Sequence, residues 1–239
     1  DSAFQQTISG LCPNTYYEIS CWMRNICSKC GCDSNGKGAT NSSGPTFYIP
    51  TGPGDSSGVA PNITFEVDGI DYFTTGNLLY SGQWVKKGFT FLTGAAQTSF
   101  TLKYFNNAPG GGGNDWALDD ITVATCSPDM KYGPIYNPIV CDSNVILLSD
   151  TIRSFFNNYT QYKWQRSTDG GTIWNDIAGA TGVGSPVWNG TAWEYVTLYT
   201  VPVAFTQMIN NGDMYRVVAA TTVANLSNPN CNFTDPLRI

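Results

Sequence analysis

The chain has 239 residues, a net charge of −6 and no histidine. The lack of imidazole excludes Ser-His and Cys-His nucleophile pairs and histidine metal ligands. The largest basic cluster is Lys86-Lys87, so nucleic acid is not an expected partner, and no apolar run approaches the ~20 residues that membrane insertion needs.

Strands separated by turn clusters are predicted along the first half of the chain. Aromatic residues make up 13% of the sequence, and it contains 25 glycines and 13 prolines, a composition typical of short strands and many turns. Segments 63–67 and 99–104 alternate apolar and polar residues, as when one face of a sheet is buried and the other is wet. The predicted strands are 4–8, 16–23, 45–49, 62–67, 70–74, 83–92, 97–106 and 116–124. This pattern predicts a β-sandwich.

Two adjacent carboxylates lie in segment 114–123, directly after four glycines. Neighbours on a strand point to opposite faces, so Asp119 and Asp120 cannot form the carboxylate pair of a glycosidase, and the chain is not expected to be an enzyme. One acid is expected to brace the loop while the other meets solvent. Together with Asn114 and Asp115, they are candidate ligands for a structural Ca²⁺ ion. The alternative is a hydrogen-bonded strand end without an ion.

A second module is predicted after a short linker over 129–138, which is rich in Pro, Gly and Asn. This module has the order of features found in immunoglobulin-type sandwiches, namely Cys141, Trp164, the strand around Tyr215 and Cys231. The fold class is therefore all-β, with two sandwich domains over 1–128 and 129–239.

The eight cysteines fit disulfides in an oxidising, extracellular compartment. Cys27, Cys30 and Cys32 have spacing that could also suit zinc or a redox centre, but the chain has no second CxxC and no histidine. Disulfides are the favoured interpretation. The connectivity stays open, and Cys27–Cys30 and Cys141–Cys231 are the first pairs to test.

The first module resembles a galactose-binding-like jelly roll in segments 11–20 (LCPNTYYEIS), 22–25 (WMRN), 84–91 and 106–121. The second module resembles, in segment 164–174 (WQRSTDGGTIW), the immunoglobulin-like repeats of very large surface proteins in gliding bacteria that use type IX secretion. The resemblance implies a non-enzymatic, adhesive or structural segment of an extracellular cell-surface protein. Its expected partners are neighbouring domains of the same long chain.

The resemblance also implies that one or two strands precede residue 4. We therefore expect either a piece of a longer chain or a module that a strand of another polypeptide completes. The same bacteria attach O-glycans at Asp-Ser/Thr-apolar triplets, which places candidate sites at Ser2 and Thr151.

Aromatic side chains are the candidate contacts for glycans. Trp188 and Trp193 flank Asn189-Gly190-Thr191 and are predicted to lie on an exposed hairpin, although core packing is the commoner fate of strand aromatics. A glycan ligand would favour a carbohydrate-binding module of a secreted glycan-degrading enzyme. A filament subunit completed by a neighbour's strand is a further alternative.

Overall fold

A computed structural model describes residues 2–26, 60–79, 81–108, 115–133 and 138–238. The protein is all-β and forms sandwiches, as predicted. It divides into two compact units. Unit 1 comprises Asp1–Gly10, Tyr17–Phe91 and Thr98–Ala124; unit 2 comprises Leu11–Tyr16, Leu92–Gln97 and Thr125–Ile239. The predicted strand at 45–49 lies outside the described residues.

Seven antiparallel strands lie among the residues of unit 1 that the structure describes. They are β1 (Phe4–Ser9), β2 (Tyr16–Asn25), β3 (Asn62–Val67), β4 (Ile70–Asn77), β5 (Val85–Leu92), β6 (Ser99–Asn106) and β7 (Trp116–Thr125). One sheet has the strand order β1-β6-β3-β4 and the other β5-β2-β7.

The core of unit 1 follows from the alternation in these strands. Ile63, Phe65 and Val67 of β3 are fully buried, because residues two apart share a face. The Phe65 ring meets Phe89 of the facing sheet edge-on, with centroids 5.9 Å apart. Both sheets therefore contribute to one aromatic core.

In unit 2, the described residues form eight strands. They are β8 (Asp129–Gly133), β9 (Ile146–Ser154), β10 (Gln161–Ser167), β11 (Asn175–Val183), β12 (Val187–Trp188), β13 (Trp193–Val201), β14 (Met214–Ala220) and β15 (Phe233–Arg238). They form two four-stranded sheets, with orders β11-β10-β14-β15 and β12-β13-β9-β8.

Trp164 lies at the centre of the unit 2 core and is fully buried. Its indole Nε1 donates a 3.0 Å hydrogen bond to Oγ1 of Thr197 in the facing sheet, so the one polar atom of the side chain is satisfied. The cluster around it takes Leu148 and Ile152 from β9 and Tyr215 and Val217 from β14.

The predicted linker at 129–138 is wrong over its first half, because Asp129–Gly133 forms strand β8 and pairs with β9. Met130 is buried in the core and Tyr132 packs against it. Only two side chains of this five-residue strand face inward. An alternation that short is not recognisable in the sequence, because the neighbouring Pro and Gly residues suggest a loop.

Residues Leu11–Tyr16 form a strap that belongs to unit 2. The cysteine of this strap, Cys12, forms a disulfide with another part of the unit. Cys12 pairs with Cys231 at a Cα distance of 5.4 Å. The expected Cys141–Cys231 pair is wrong, since Cys141 is exposed and free. The order of the cysteines along the chain could not identify Cys12 as the partner of Cys231, because the two lie 219 residues apart in sequence. Cys27 and Cys30 lie outside the described residues.

Polar side chains hold the strap alongside the disulfide. Asn225 Nδ2 donates to the Pro13 carbonyl at 3.0 Å, and Asn158 Nδ2 donates to the Asn14 carbonyl at 2.9 Å. The Tyr16 ring stacks on Phe156 with centroids 3.9 Å apart.

Helical structure among the described residues is limited to three 3-10 turns, Val203–Phe205, Met208–Asn210 and Ala224–Ser227. No helix in these ranges is long and apolar enough to cross a bilayer.

Candidate functional site

The paired acids of β7 lie at the protein surface. Asp115, Asp119 and Asp120 are all exposed, and Asn114 lies outside the described residues. Asp119 Oδ1 accepts a 2.9 Å hydrogen bond from the backbone amide of Asp120. The φ angle of Asp120 is +47°, so the backbone departs from regular strand geometry here and strict alternation does not apply. Within the described ranges, no three His, Cys, Asp or Glu side chains are grouped for a metal.

Trp188 and Trp193 form a cross-strand pair in the β12–β13 hairpin, as their spacing suggested. Trp188 is 49% exposed, and the ring centroids are 5.7 Å apart at an interplanar angle of 56°. The two rings are therefore not coplanar and do not present one flat stacking surface.

The two O-glycosylation candidates occupy different settings. Ser2 is exposed, whereas Thr151 is half-buried in the middle of β9. Thr151 lies between Val196 of β13 and Lys131 of β8 in the sheet register. Within each unit, the described residues show no contact between Ser2 or Thr151 and the acids of β7. They also show none between these two residues and the tryptophan pair.

A polar groove that the sequence reasoning missed lies on the outer face of the β11-β10-β14-β15 sheet. Gln165 of β10 is opposite Asp176 of β11 on one side and Arg216 of β14 on the other. Two residues along, Lys163 is opposite Thr181 and Val218. Directly opposed residues share a face, so these rows place polar side chains from three strands side by side.

A chain of hydrogen bonds fixes these side chains. Lys163 Nζ lies 3.0 Å from Asp176 Oδ1, and Gln165 Nε2 donates to the same oxygen at 2.6 Å. Arg216 Nε donates to Gln165 Oε1 at 2.7 Å. The bonds from Gln165 and Lys163 hold the pKa of Asp176 below its ordinary value, so the carboxylate stays ionised.

Lys163 and Gln165 are buried although both are polar. Their exposed fractions are 9% and 8%, and polar groups at that depth carry a desolvation cost unless they are bonded. The network satisfies them. The groove floor is therefore a rigid polar surface rather than a set of freely moving surface side chains.

Trp174 is positioned by the turn between β10 and β11. Gly170 and Gly171 have φ angles of +74° and +93°, a region that glycine adopts without a steric penalty. Asp169 Oδ1 accepts the backbone amides of Thr172 and Ile173 at 3.0 and 2.9 Å. The turn places the Trp174 ring 4.2 Å from the Arg216 guanidinium carbon.

The groove has a volume of about 640 Å³, within the usual range of about 300–1,000 Å³ for small-molecule sites. Besides the polar floor, it is lined by Trp174, Asn175, Val218, Leu226, Ser227, Pro229, Asn232 and Thr234. A second cavity of about 350 Å³ shares Lys163, Asp176, Leu226 and Ser227 with it. The two cavities thus adjoin along the sheet face.

Another concavity, of about 590 Å³, lies between loops at one end of unit 2. Its lining is mixed: Ile139, Phe205 and Met208 are apolar, whereas Asp142, Gln207 and Asn210 are among its polar residues. Nearby, Arg166 stacks on the Phe205 ring at 4.0 Å and forms an ion pair with Asp213. That pairing occupies the guanidinium, so Arg166, unlike Arg216 in the groove, already has a direct ionic partner.

A sequence signal for the groove does exist. Gln161, Lys163 and Gln165 are polar at alternate positions of β10, whose intervening residue Trp164 is buried in the core. Such a polar row usually indicates a wet sheet face. Only the structure shows that two of these side chains are buried and joined to Arg216.

Comparisons with known proteins assign no family to this chain. No family model matches it, and no curated protein matches it. Among solved structures, a GH2 β-galacturonidase from Eisenbergiella tayi bound to glycerol is similar over 98% of this chain, with 9% identity and a TM-score of 0.25. The chain spans 34% of that protein's length. This similarity is too low to assign a fold family or an activity.

Proposed function

We propose that this chain is a non-enzymatic, adhesive segment of an extracellular cell-surface protein, and that the groove of unit 2 binds a saccharide. The observation that carries the proposal is the fixed polar floor formed by Lys163, Gln165, Asp176 and Arg216 in an open cavity. Saccharides present many hydroxyl groups, and this floor offers both donors and acceptors.

The shape of the groove also supports a saccharide. The adjoining cavities of about 640 and 350 Å³ offer room for more than one sugar ring, as expected for an extended glycan chain. Rigid side chains reduce the entropy cost of binding because they are already ordered. A site that binds a saccharide without catalysing a reaction is what an adhesive module requires.

Extracellular placement is supported by the Cys12–Cys231 disulfide, since such bonds persist in oxidising compartments. The non-enzymatic assignment draws on the lack of histidine in the whole sequence and on a groove whose lining, where the structure describes it, includes a single carboxylate. Glycoside hydrolysis generally uses two carboxylates.

Glycan-array binding of the whole chain tests the proposal. We expect binding that Trp174→Ala reduces about tenfold or more, because the variant removes the ring that positions Arg216. Trp22→Ala is the matched control, since Trp22 is 39% exposed on β2 of unit 1 and does not line the groove. Gln165→Ala serves as a second groove variant.

Two results would contradict the groove assignment. Equal binding by the wild type and both groove variants would exclude it. If only Trp188→Ala abolished glycan binding, the binding site would instead be assigned to the β12–β13 hairpin.

The same groove would also suit a carbohydrate-binding module attached to a secreted glycan-degrading enzyme. The observation in favour of this second candidate is again the saccharide-sized cavity. The domains encoded on either side of this segment discriminate between the two: repeated sandwiches favour adhesion, and a catalytic domain favours the enzyme appendage.

A further inference from the structure

Arg216 is held in the groove by two contacts with neighbouring side chains. Its Nε donates to Gln165 Oε1 at 2.7 Å, and its guanidinium carbon lies 4.2 Å from the centre of the Trp174 ring. Gln165 is itself held by its bond to Asp176. The bond to Gln165 therefore fixes one edge of the guanidinium, and the Trp174 ring covers one of its faces. The two terminal nitrogens, on the other edge, remain available to a ligand.

The charges of the groove are unequal. Lys163 is paired directly with Asp176, whereas Arg216 forms no direct ion pair with any residue that the structure describes and feels the Asp176 carboxylate only at longer range. Among the described residues, the charged side chains that line the cavity are two cations and one carboxylate, in a chain whose overall charge is −6. A half-buried cation without a direct ionic partner is a site where an anion would be stabilised.

We propose that Arg216 binds an oxyanion group, a carboxylate or a sulfate ester, of an acidic glycan; this rests on the saccharide-binding function proposed above. A guanidinium offers parallel N–H donors that match the two oxygens of such a group. Because Arg216 is already oriented, little side-chain entropy is lost when the anion binds. The neighbouring Lys163–Asp176 pair and Gln165 then face the sugar hydroxyls.

The experiment measures binding of the whole chain to two matched pairs of polymers at physiological salt. Hyaluronan and its carboxyl-reduced form test the carboxylate, and dextran sulfate and dextran test the sulfate. We expect the acidic member of at least one pair to bind about tenfold or more tightly than its neutral partner, as a charge-assisted bidentate contact implies. The pair that responds identifies the group.

Variants assign the preference to Arg216. Arg216→Gln should abolish the acidic preference, and Arg216→Lys should retain only part of it because an ammonium lacks the planar fork. Arg153→Gln is the control, since Arg153 is half-exposed on β9 in the other sheet and is paired with Glu194. Melting curves check that each variant is folded, and the Lys variant keeps the test valid if the Gln variant is not.

Three outcomes would overturn the inference. Trp174-dependent binding of neutral glycans alone would refute the acidic group and leave the proposed function standing. An acidic preference that survives in both Arg216 variants would show that Arg216 is not the receptor. A lack of binding to every glycan would refute both proposals.

Discussion

At the scale of single residues, Asp150 is the most unusual group in unit 2. Its side chain is completely buried in β9, and neither carboxylate oxygen has a well-formed hydrogen bond. Burial, and to a smaller degree the negative charges of Asp235 and Asp129, raise the pKa of Asp150 to about 7, although the Lys131 backbone opposes the shift. A buried carboxyl without an ionic partner favours its neutral form.

This raised pKa predicts an unusual pH dependence of stability. An unfolded aspartate has a pKa of about 3.9, so between about pH 4 and pH 7 the folded state holds a proton that the unfolded state lacks. Stability therefore falls as the pH rises through this window, by up to about 4 kcal/mol at about 1.4 kcal/mol per pKa unit. Asp150→Asn, which cannot ionise, should lose less stability than the wild type between pH 5 and pH 8.

Urea denaturation at several pH values checks this difference, with Asp142→Asn, an exposed acid of the same unit, as the control. Parallel curves for the wild type and Asp150→Asn would contradict the prediction. The local alternation places Asp150 on the same face of β9 as Leu148 and Ile152, but only the packing of the facing sheet shows that this face is completely buried.

At the scale of elements, the strands of unit 1 were predictable and several of those in unit 2 were not. Strands β3 and β6 follow the predicted 62–67 and 97–106 closely, because clean alternation reflects one wet and one buried face. Strand β11 was missed since its sequence, Asn-Asp-Ile-Ala-Gly-Ala-Thr-Gly-Val, has small residues that carry little β-propensity. Its pairing with β10 compensates for that weak local preference.

The two acids in the middle of β7 provide a test of the predicted calcium site. If Asp119 and Asp120 bind the ion, calcium at a hundredfold excess over its Kd should stabilise the fold by about 2.7 kcal/mol relative to chelator. Asp119→Asn should remove that gain because it removes a charged ligand. Melting curves in calcium, magnesium and chelator measure the effect, and superimposable curves would argue against the ion.

The strap at Leu11–Tyr16 leads to a second prediction at this scale. Cys231→Ser should lower the free energy of unfolding by about 2–5 kcal/mol, since a long closed loop restricts the unfolded chain. Cys141→Ser should leave it nearly unchanged because Cys141 is exposed and free. Urea denaturation measures both. Peptide mapping without reduction should recover Cys12 linked to Cys231, and a Cys141–Cys231 peptide would refute the pairing.

At the scale of the whole molecule, the units do not follow a single cut in the sequence. Leu11–Tyr16 and Leu92–Gln97 group with unit 2 although they lie within the first half of the chain. Thr93 shows why, since its hydroxyl donates to the carbonyl of Cys12 at 2.6 Å. Binding and stability experiments therefore require the whole chain, because a fragment beginning at residue 129 would lack these segments.

The sequence by itself determined the all-β sandwich class, since alternation, turn residues and aromatic content are local properties that each strand displays alone. Only the tertiary structure decided the partner of Cys231, the burial of Asp150 and the groove around Arg216. Each of these depends on which strands lie side by side. Gln165 meets both Asp176 and Arg216 through strand register, and contacts between residues as far apart as 165 and 216 are fixed by the packing of the complete sheet rather than by local sequence.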